Sequence, residues 1–253
     1  MNFLALECSS ETLSLAASKL TQNWYFECAG GPQTSSILVP QCLEGLARLK
    51  LSMDELDAIV YARGPGSFTG LRTACSAAQG FSFAHQTLTL GVDSLLGLAH
   101  TAHRLKPAFN RVLSVLDARM GQLYVGAYSF TSGFWEVHQA PQLIDPPEAL
   151  LPKAWTLENP TAPFLLVCNT ESPTQMELMQ TLKGQHQNFE FVLMSPRADA
   201  LIDLASIHFT HPSLSERLGF QTGLPTPLYV RERVAQTTEE RSAAPAQLVT
   251  PTR

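Results

Sequence analysis

The stretch that decides the fold is a glycine-rich turn, Gly64-Pro65-Gly66-Ser67-Phe68-Thr69-Gly70-Leu71-Arg72. An apolar run at residues 57–62 predicts a buried strand before it, and residues 69–84 have the pattern of a helix after it. Because glycine permits positive φ and close backbone approach, such a turn either binds an anion at the helix N-terminus or packs the helix tightly on the sheet. The turn matches neither a P-loop, which needs Lys-Ser/Thr after Gly70, nor a GxGxxG dinucleotide motif.

The apolar periodicity on both sides of this turn predicts two successive units of roughly βββαβα order. The first unit has strands at 3–6, 13–18, 24–28, 57–62 and 88–92, and helices at 36–49, 69–84 and 94–104. The second has strands at 111–116, 122–130, 134–138, 164–167 and 189–193, a short helix opening at 145–147, and helices at 174–183 and 198–209. Residues 150–163 are expected to form a proline-rich loop.

Two such units side by side predict an α/β protein with two lobes and a cleft between them. We expect an N-terminal lobe at residues 1–106, a C-terminal lobe at 107–231 and a disordered tail at 232–253.

Composition excludes several classes of protein. The 253 residues are 45% hydrophobic, and 17 basic against 22 acidic side chains leave a net charge of −5 without a basic stripe, so any role with nucleic acid is expected to be indirect. The five cysteines show no CxxC spacing, which argues against a zinc ribbon or a disulfide framework and favours buried thiols in a reducing compartment. No apolar run is long enough for a membrane span, and we expect a cytoplasmic protein.

Nucleophile, base and metal candidates are few. Ser67 lies on the glycine turn, but no motif supplies its base, and GxSxG is absent. His100 and His103 are three residues apart, as are His208 and His211, yet neither pair belongs to an HExxH motif. We therefore predict core or solvated histidines, and no catalytic or metal-binding residue.

Glu7 and Asp117 each follow the first strand of their unit. Their equivalent placement is compatible with paired phosphate or metal sites facing one cleft, or with ordinary strand-end capping and turn formation. We prefer the capping interpretation.

The helix after the turn carries small residues at helical spacing. Gly70, Ala74 and Ala78 are four apart, as are Ala77 and Phe81, so a second helix could approach closely. The face packs either against the protein's own sheet or against a partner helix.

Four segments together resemble the TsaB family, also called YeaZ. They are the glycine turn, Leu-Asp-Ala-Arg-Met-Gly-Gln-Leu-Tyr at 116–124, Gly-Val-Asp-Ser-Leu at 91–95 and Pro-Leu-Tyr-Val-Arg at 227–231. The resemblance runs from Phe3 to about Val234. Two positions depart from it: Glu7-Cys8-Ser9 stands for the usual Asp-Thr-Ser, and Thr34-Ser35 stands where many relatives have histidine.

The resemblance implies an actin/Hsp70-like (ASKHA) fold and a non-catalytic subunit. In that family the subunit pairs with the catalytic homologue TsaD, with the ATPase TsaE as a further partner, for transfer of a threonylcarbamoyl group to the tRNA adenosine next to the anticodon (t6A). It also implies a homodimer when the chain is alone, indirect contact with tRNA, no cofactor bound by this chain alone, and ATP and a metal used elsewhere in the complex. The implied partner-binding residues lie on the first two helices: Leu38, Cys42, Leu46, Leu71, Ala74, Ala77, Ala78 and Phe81. The signature turn comprises Gly64, Gly66, Ser67, Gly70 and Arg72.

The predicted hairpins at the cleft agree with a silent subunit. A nucleotide cleft of this kind needs small hairpins whose N–H groups reach the phosphates, whereas this chain has Cys8-Ser9-Ser10-Glu11 and Ala118-Arg119-Met120. The alternatives are a peptidase- or ATPase-like enzyme of the same superfamily, and a homodimeric module with a regulatory role in proteolysis.

Overall fold

A computed structural model describes residues 1–146, 151–158, 161–185, 188–215 and 218–231. The strands are β1 (Asn2–Glu7), β2 (Thr12–Lys19), β3 (Gln22–Ala29), β4 (Ala58–Gly64), β5 (Thr89–Asp93), β6 (Arg111–Asp117), β7 (Leu123–Thr131), β8 (Phe134–Ile144), β9 (Phe164–Cys168), β10 (Phe189–Leu193) and β11 (Gln221–Thr222). The helices are α1 (Thr34–Arg48), α2 (Phe68–His85), α3 (Ser94–Leu105), α4 (Lys153–Glu158), α5 (Pro173–Gln185), α6 (Ala198–Thr210) and α7 (Pro212–Ser215).

The two sheets have the same internal order. One runs β3-β2-β1-β4-β5 and the other β8-β7-β6-β9-β10, with β11 added to the outer edge of β5. In each sheet the first three strands are antiparallel, and the last two are parallel to the central strand. The predicted βββαβα repeat is therefore confirmed.

The molecule has five layers, α1/α2, first sheet, α3/α6, second sheet and α4/α5. Strand β1 illustrates this layering, because both of its faces are apolar and each packs in a different core. Leu4 and Leu6 pack under α1 and α2, whereas Phe3 and Ala5 belong to a core that also contains residues of α3, α6 and the second sheet. A third core lies between the second sheet and the helices α4 and α5.

The structure corrects the predicted lobe boundary at 106/107. Helix α6 packs on β1 and β2 of the first sheet, and β11 pairs with β5, although both elements fall in the range 107–231. Helix α3 in turn packs on β6 of the second sheet. The lobes therefore share a central helical layer, which local sequence patterns cannot reveal.

Smaller differences concern the C-terminal half. Residues 150–163, expected to be loop, contain α4, while Asp145 and Pro146 are not helical and Pro147 lies outside the described residues. Helix α1 continues through Pro40. The tail at 232–253 also lies outside the described residues. Within the described part of the chain, no helix is long and apolar enough to span a membrane.

Candidate functional site

The signature turn joins β4 to α2 and packs against the hairpin between β1 and β2. A Cβ atom at Gly66 would collide with the carbonyl oxygen of Ser9, and one at Gly70 with that of Cys8. The backbone N–H of Ser67 donates to Ser9 O at 2.8 Å, and its hydroxyl caps α2 by accepting from Gly70 N–H at 3.4 Å. The turn thus packs the start of α2 closely against the hairpin. Of the two interpretations, anion binding and close packing, the structure supports close packing.

A cavity of about 340 Å³ opens where the two sheets' hairpins face each other. It is bounded by the β1–β2 hairpin, the signature turn, the β6–β7 hairpin, the end of β9 and the chain's last described residues. The lining residues that matter for its chemistry are Ser9, Glu11, Asp117, Arg119, Asn169 and Tyr229. The predicted interlobe cleft is therefore present.

An ion pair bridges the two hairpins at the mouth of this cleft. The guanidinium of Arg119 forms an ion pair with Glu11, joining the two hairpins. Arg119 and Met120 have φ values of 63° and 56°, so the β6–β7 turn is left-handed at two residues that are not glycine.

Three N–H groups of the two hairpins have acceptors within their own hairpin. Ala118 N–H donates to Gln122 O at 3.0 Å, and Arg119 N–H to an Asp117 carboxylate oxygen at 2.8 Å. On the other hairpin, Ser9 N–H donates to Glu7 Oε1 at 2.6 Å. An anion in the cleft would have to displace these internal bonds.

Glu7 and Asp117 end β1 and β6 at equivalent places, as predicted, but in different environments. Glu7 is fully buried, and desolvation raises its pKa from 4.5 to about 7, partly offset by hydrogen bonding from Ser9. Asp117 is partly exposed, accepts from Arg119 N–H, and its own N–H donates to Asn169 Oδ1 at 3.0 Å. Both carboxylates bond within their own hairpins, which supports the capping interpretation.

The sequence reasoning missed Asp93, a buried acid at the junction of β5 and α3. It caps α3 by accepting from Leu95 N–H at 2.9 Å and accepts from the Tyr128 hydroxyl at 2.6 Å. Burial raises its pKa from 3.8 to about 6, and these hydrogen bonds oppose the rise. An Asp directly before a helical stretch is the signal that could have identified the cap.

The histidines lie away from the cleft. His100 is buried, accepts from the Trp135 indole N–H at 3.0 Å and approaches Asp203 at 3.3 Å. His103 is buried against the Phe109 carbonyl, and burial lowers its pKa. The prediction of core histidines is confirmed for this pair, and no cluster of three metal-ligating side chains occurs among the described residues.

Six of the eight predicted partner-binding residues are buried inside the chain and offer almost no surface to a partner. They have at most 3% of their surface exposed, because they form the core between α1, α2 and the first sheet or the turn: Leu38, Cys42, Leu46, Leu71, Ala74 and Ala78. Ala77 and Phe81 are only partly buried. Helical spacing finds an apolar face but does not say whether a sheet or a partner covers it.

The outer surface of the same two helices carries different apolar residues. Val39 and Leu43 on α1 and Phe68 on α2 are 38%, 50% and 41% exposed. A groove of about 600 Å³ lies between the helices, and its rim includes Val39, Phe68, Arg72, Thr73 and Ala77. We call it the α1–α2 groove.

Arg72 organises one end of this groove. Its guanidinium carbon lies 3.8 Å from the centre of the Phe68 ring, and its Nε donates to the Tyr229 hydroxyl at 2.8 Å. Phe68 lines the cleft as well as the groove, so one aromatic side chain separates the two cavities.

Two sheets of the same strand order around shared central helices, with a cleft between equivalent hairpins, define the actin-like (ASKHA) class of α/β proteins. The family model described as "TsaD: tRNA N6-adenosine threonylcarbamoyltransferase" matches residues 31–238. The chain belongs to this family.

Individual relatives point to one branch of it. The chain is 34% identical over 148 residues to the "tRNA threonylcarbamoyladenosine biosynthesis protein TsaB" of Escherichia coli, and 35% identical over 125 residues to the protein of the same name from Haemophilus influenzae. These matches cover 58% and 49% of this chain and 63% and 52% of those proteins, so they span less than two thirds of each relative.

Two solved structures share the fold. "YeaZ from Pseudomonas aeruginosa" superimposes with a TM-score of 0.71 at 23% identity, covering 90% of this chain and 99% of that one. An uncharacterized protein "with similarity to peptidase YEAZ from Pseudomonas aeruginosa" superimposes with a TM-score of 0.73 at 24% identity, covering 91% of this chain and 99% of that one.

Proposed function

We propose that this protein is a non-catalytic subunit of the machinery that makes t6A in tRNA, and that it acts by docking on a catalytic TsaD homologue. Family membership and the names of its TsaB relatives support the pathway. In this proposal TsaE is a further partner, tRNA is contacted through the complex, and the protein works in the cytoplasm.

The bridged hairpins are the observation that carries the non-catalytic assignment. Arg119 and Glu11 bridge the hairpins, and the nearby N–H groups bond to internal acceptors. A nucleoside triphosphate would have to break this bridge and compete with these internal bonds, and we therefore assign ATP and metal to other subunits. Ser67 is committed to capping α2, and no base is hydrogen-bonded to its hydroxyl among the described residues.

The α1–α2 groove is the surface that suits docking. The groove and the adjoining face of α1 combine exposed aliphatic side chains with the Phe68–Arg72 cluster, and aromatic and arginine side chains are enriched where proteins bind one another. Val39 and Leu43 are four residues apart and so lie on one face of α1. We expect the same surface to hold two copies together when the catalytic partner is absent.

Substitution beside the groove, on the exposed face of α1, tests the docking assignment. Leu43→Arg should abolish co-elution with the TsaD homologue, because an unpaired charge buried at an interface costs about 2 to 5 kcal/mol. Leu193→Arg is a matched control, since Leu193 on β10 is 48% exposed against 50% for Leu43. Equal co-elution of both variants and the wild type would refute this surface.

Reconstitution tests the function itself. Threonylcarbamoylation of tRNA is measured with all other components, with and without this chain, and with the Leu43→Arg variant. We expect little product without the chain and restoration by the wild type and by Leu193→Arg only. Equal product in every reaction would overturn the assignment, whatever the outcome of the co-elution experiment.

A further inference from the structure

The last described residues form a strap that crosses from the first sheet to the second. The strap begins with β11, which pairs with β5. Gln79 then donates to Pro225 O at 2.6 Å, and Leu228 N–H donates to Arg63 O at 2.6 Å. Tyr229 is held by Arg72. Residues 221–229 are thus attached to the N-terminal sheet and to α2.

Arg231 then reaches over the cleft to the β6–β7 hairpin. Its Nη2 donates to Ala118 O at 3.0 Å, to Arg119 O at 3.3 Å and to Gln122 Oε1 at 2.7 Å. Its Nη1 lies 3.0 Å from Met120 Sδ. One guanidinium therefore contacts four consecutive or near-consecutive residues of a single turn.

The acceptors that this turn presents explain why the site takes a cation. In the described part of the chain, the acceptors around Arg231 are neutral oxygens and one thioether, and no ion pair to a carboxylate accompanies them. Carbonyl oxygens that converge on one point attract a positive group and repel a phosphate. A planar guanidinium can bond to several of them at once, which an ammonium on a flexible stem cannot do equally well.

We propose that the β6–β7 hairpin is a guanidinium-binding site, and that the chain occupies it with its own Arg231 as a latch between the strap and this hairpin. The β6–β7 turn is then held by two contacts, the hydrogen bonds of Arg231 from the strap and the ion pair of Arg119 with Glu11 on the opposite hairpin. The inference does not depend on the proposed partner or pathway.

Hydrogen exchange of the full chain tests the latch. Arg231→Ala should raise amide exchange in residues 117–123 by at least about tenfold, because hydrogen bonds to a charged group are lost there. Strands β1 and β4 should keep their protection. Millimolar methylguanidinium should restore protection of the hairpin in this variant, and ammonium at the same concentration should not.

Two further variants complete the experiment. Arg231→Lys should resemble Arg231→Ala, and Arg48→Ala, which removes only an exposed pair with Glu44 on α1, should exchange like the wild type. Unchanged exchange of the hairpin in Arg231→Ala would overturn the latch. Equal rescue by ammonium would overturn the guanidinium site, and rescue by methylguanidinium in the same sample excludes a misfolded variant.

Discussion

Replacing Glu7 by glutamine should stabilise the protein in a strongly pH-dependent way. The carboxyl is fully buried at the end of β1, where Oε1 accepts from Ser9 N–H and Oε2 has no hydrogen-bond partner among the described residues. Glutamine has almost the same shape, keeps an oxygen for the Ser9 N–H, and cannot ionise.

The size of the effect follows from the pKa of Glu7. Desolvation raises this pKa from 4.5 to about 7 in the folded chain, which corresponds to a loss of about 3 kcal/mol of folding free energy once the group is ionised. Below pH 4.5 the group is protonated in both states and costs nothing. Stability contributed by the neutral form falls as pH rises from 4.5 to 7, and the full loss is present above pH 7.

Urea unfolding of wild type and Glu7→Gln across this pH range measures the difference. We expect similar free energies of unfolding at pH 4.5 and a variant more stable by about 3 kcal/mol at pH 8. Glu136→Gln serves as a control, because Glu136 is an exposed glutamate on a strand. A constant difference between wild type and Glu7→Gln at all pH values would refute the reasoning.

Three further predictions concern packing and buried acids. Gly70→Ala should destabilise by about 2 kcal/mol or more, because its Cβ would meet the backbone of the first hairpin. In the same helix Gly80→Ala, which faces open space, should stabilise by about 0.5 to 1 kcal/mol, and urea unfolding compares the two. Tyr128→Phe removes a donor that lowers the pKa of Asp93, so this pKa should rise above about 6. Urea denaturation should therefore show that the variant loses about 1 to 2 kcal/mol more stability, relative to the wild type, at pH 8 than at pH 5. Equal losses at the two pH values would contradict this prediction. Ala78→Arg should unfold or aggregate the chain, since this side chain is fully buried, and a native circular dichroism spectrum and melting temperature would count against that placement.

Local sequence patterns determined the order of most elements and excluded one interpretation of the glycine turn. Apolar residues alternate or form continuous runs in strands and recur every three to four residues in helices, so each kind of element can be identified from a short window. The turn could be excluded as a P-loop from two residues after Gly70. The repeat of βββαβα followed from element order alone and is present in both sheets.

Only the tertiary structure decided which apolar faces are covered and which distant residues meet. Ala74 and Ala78 look like an interface in the sequence but lie on the face of α2 that packs in the core with the first sheet, while Leu43 remains exposed. Arg231 reaches Ala118, 113 residues earlier, because β11 returns the chain to the first sheet. Burial and long-range contact depend on how the layers stack, and no local window contains that information.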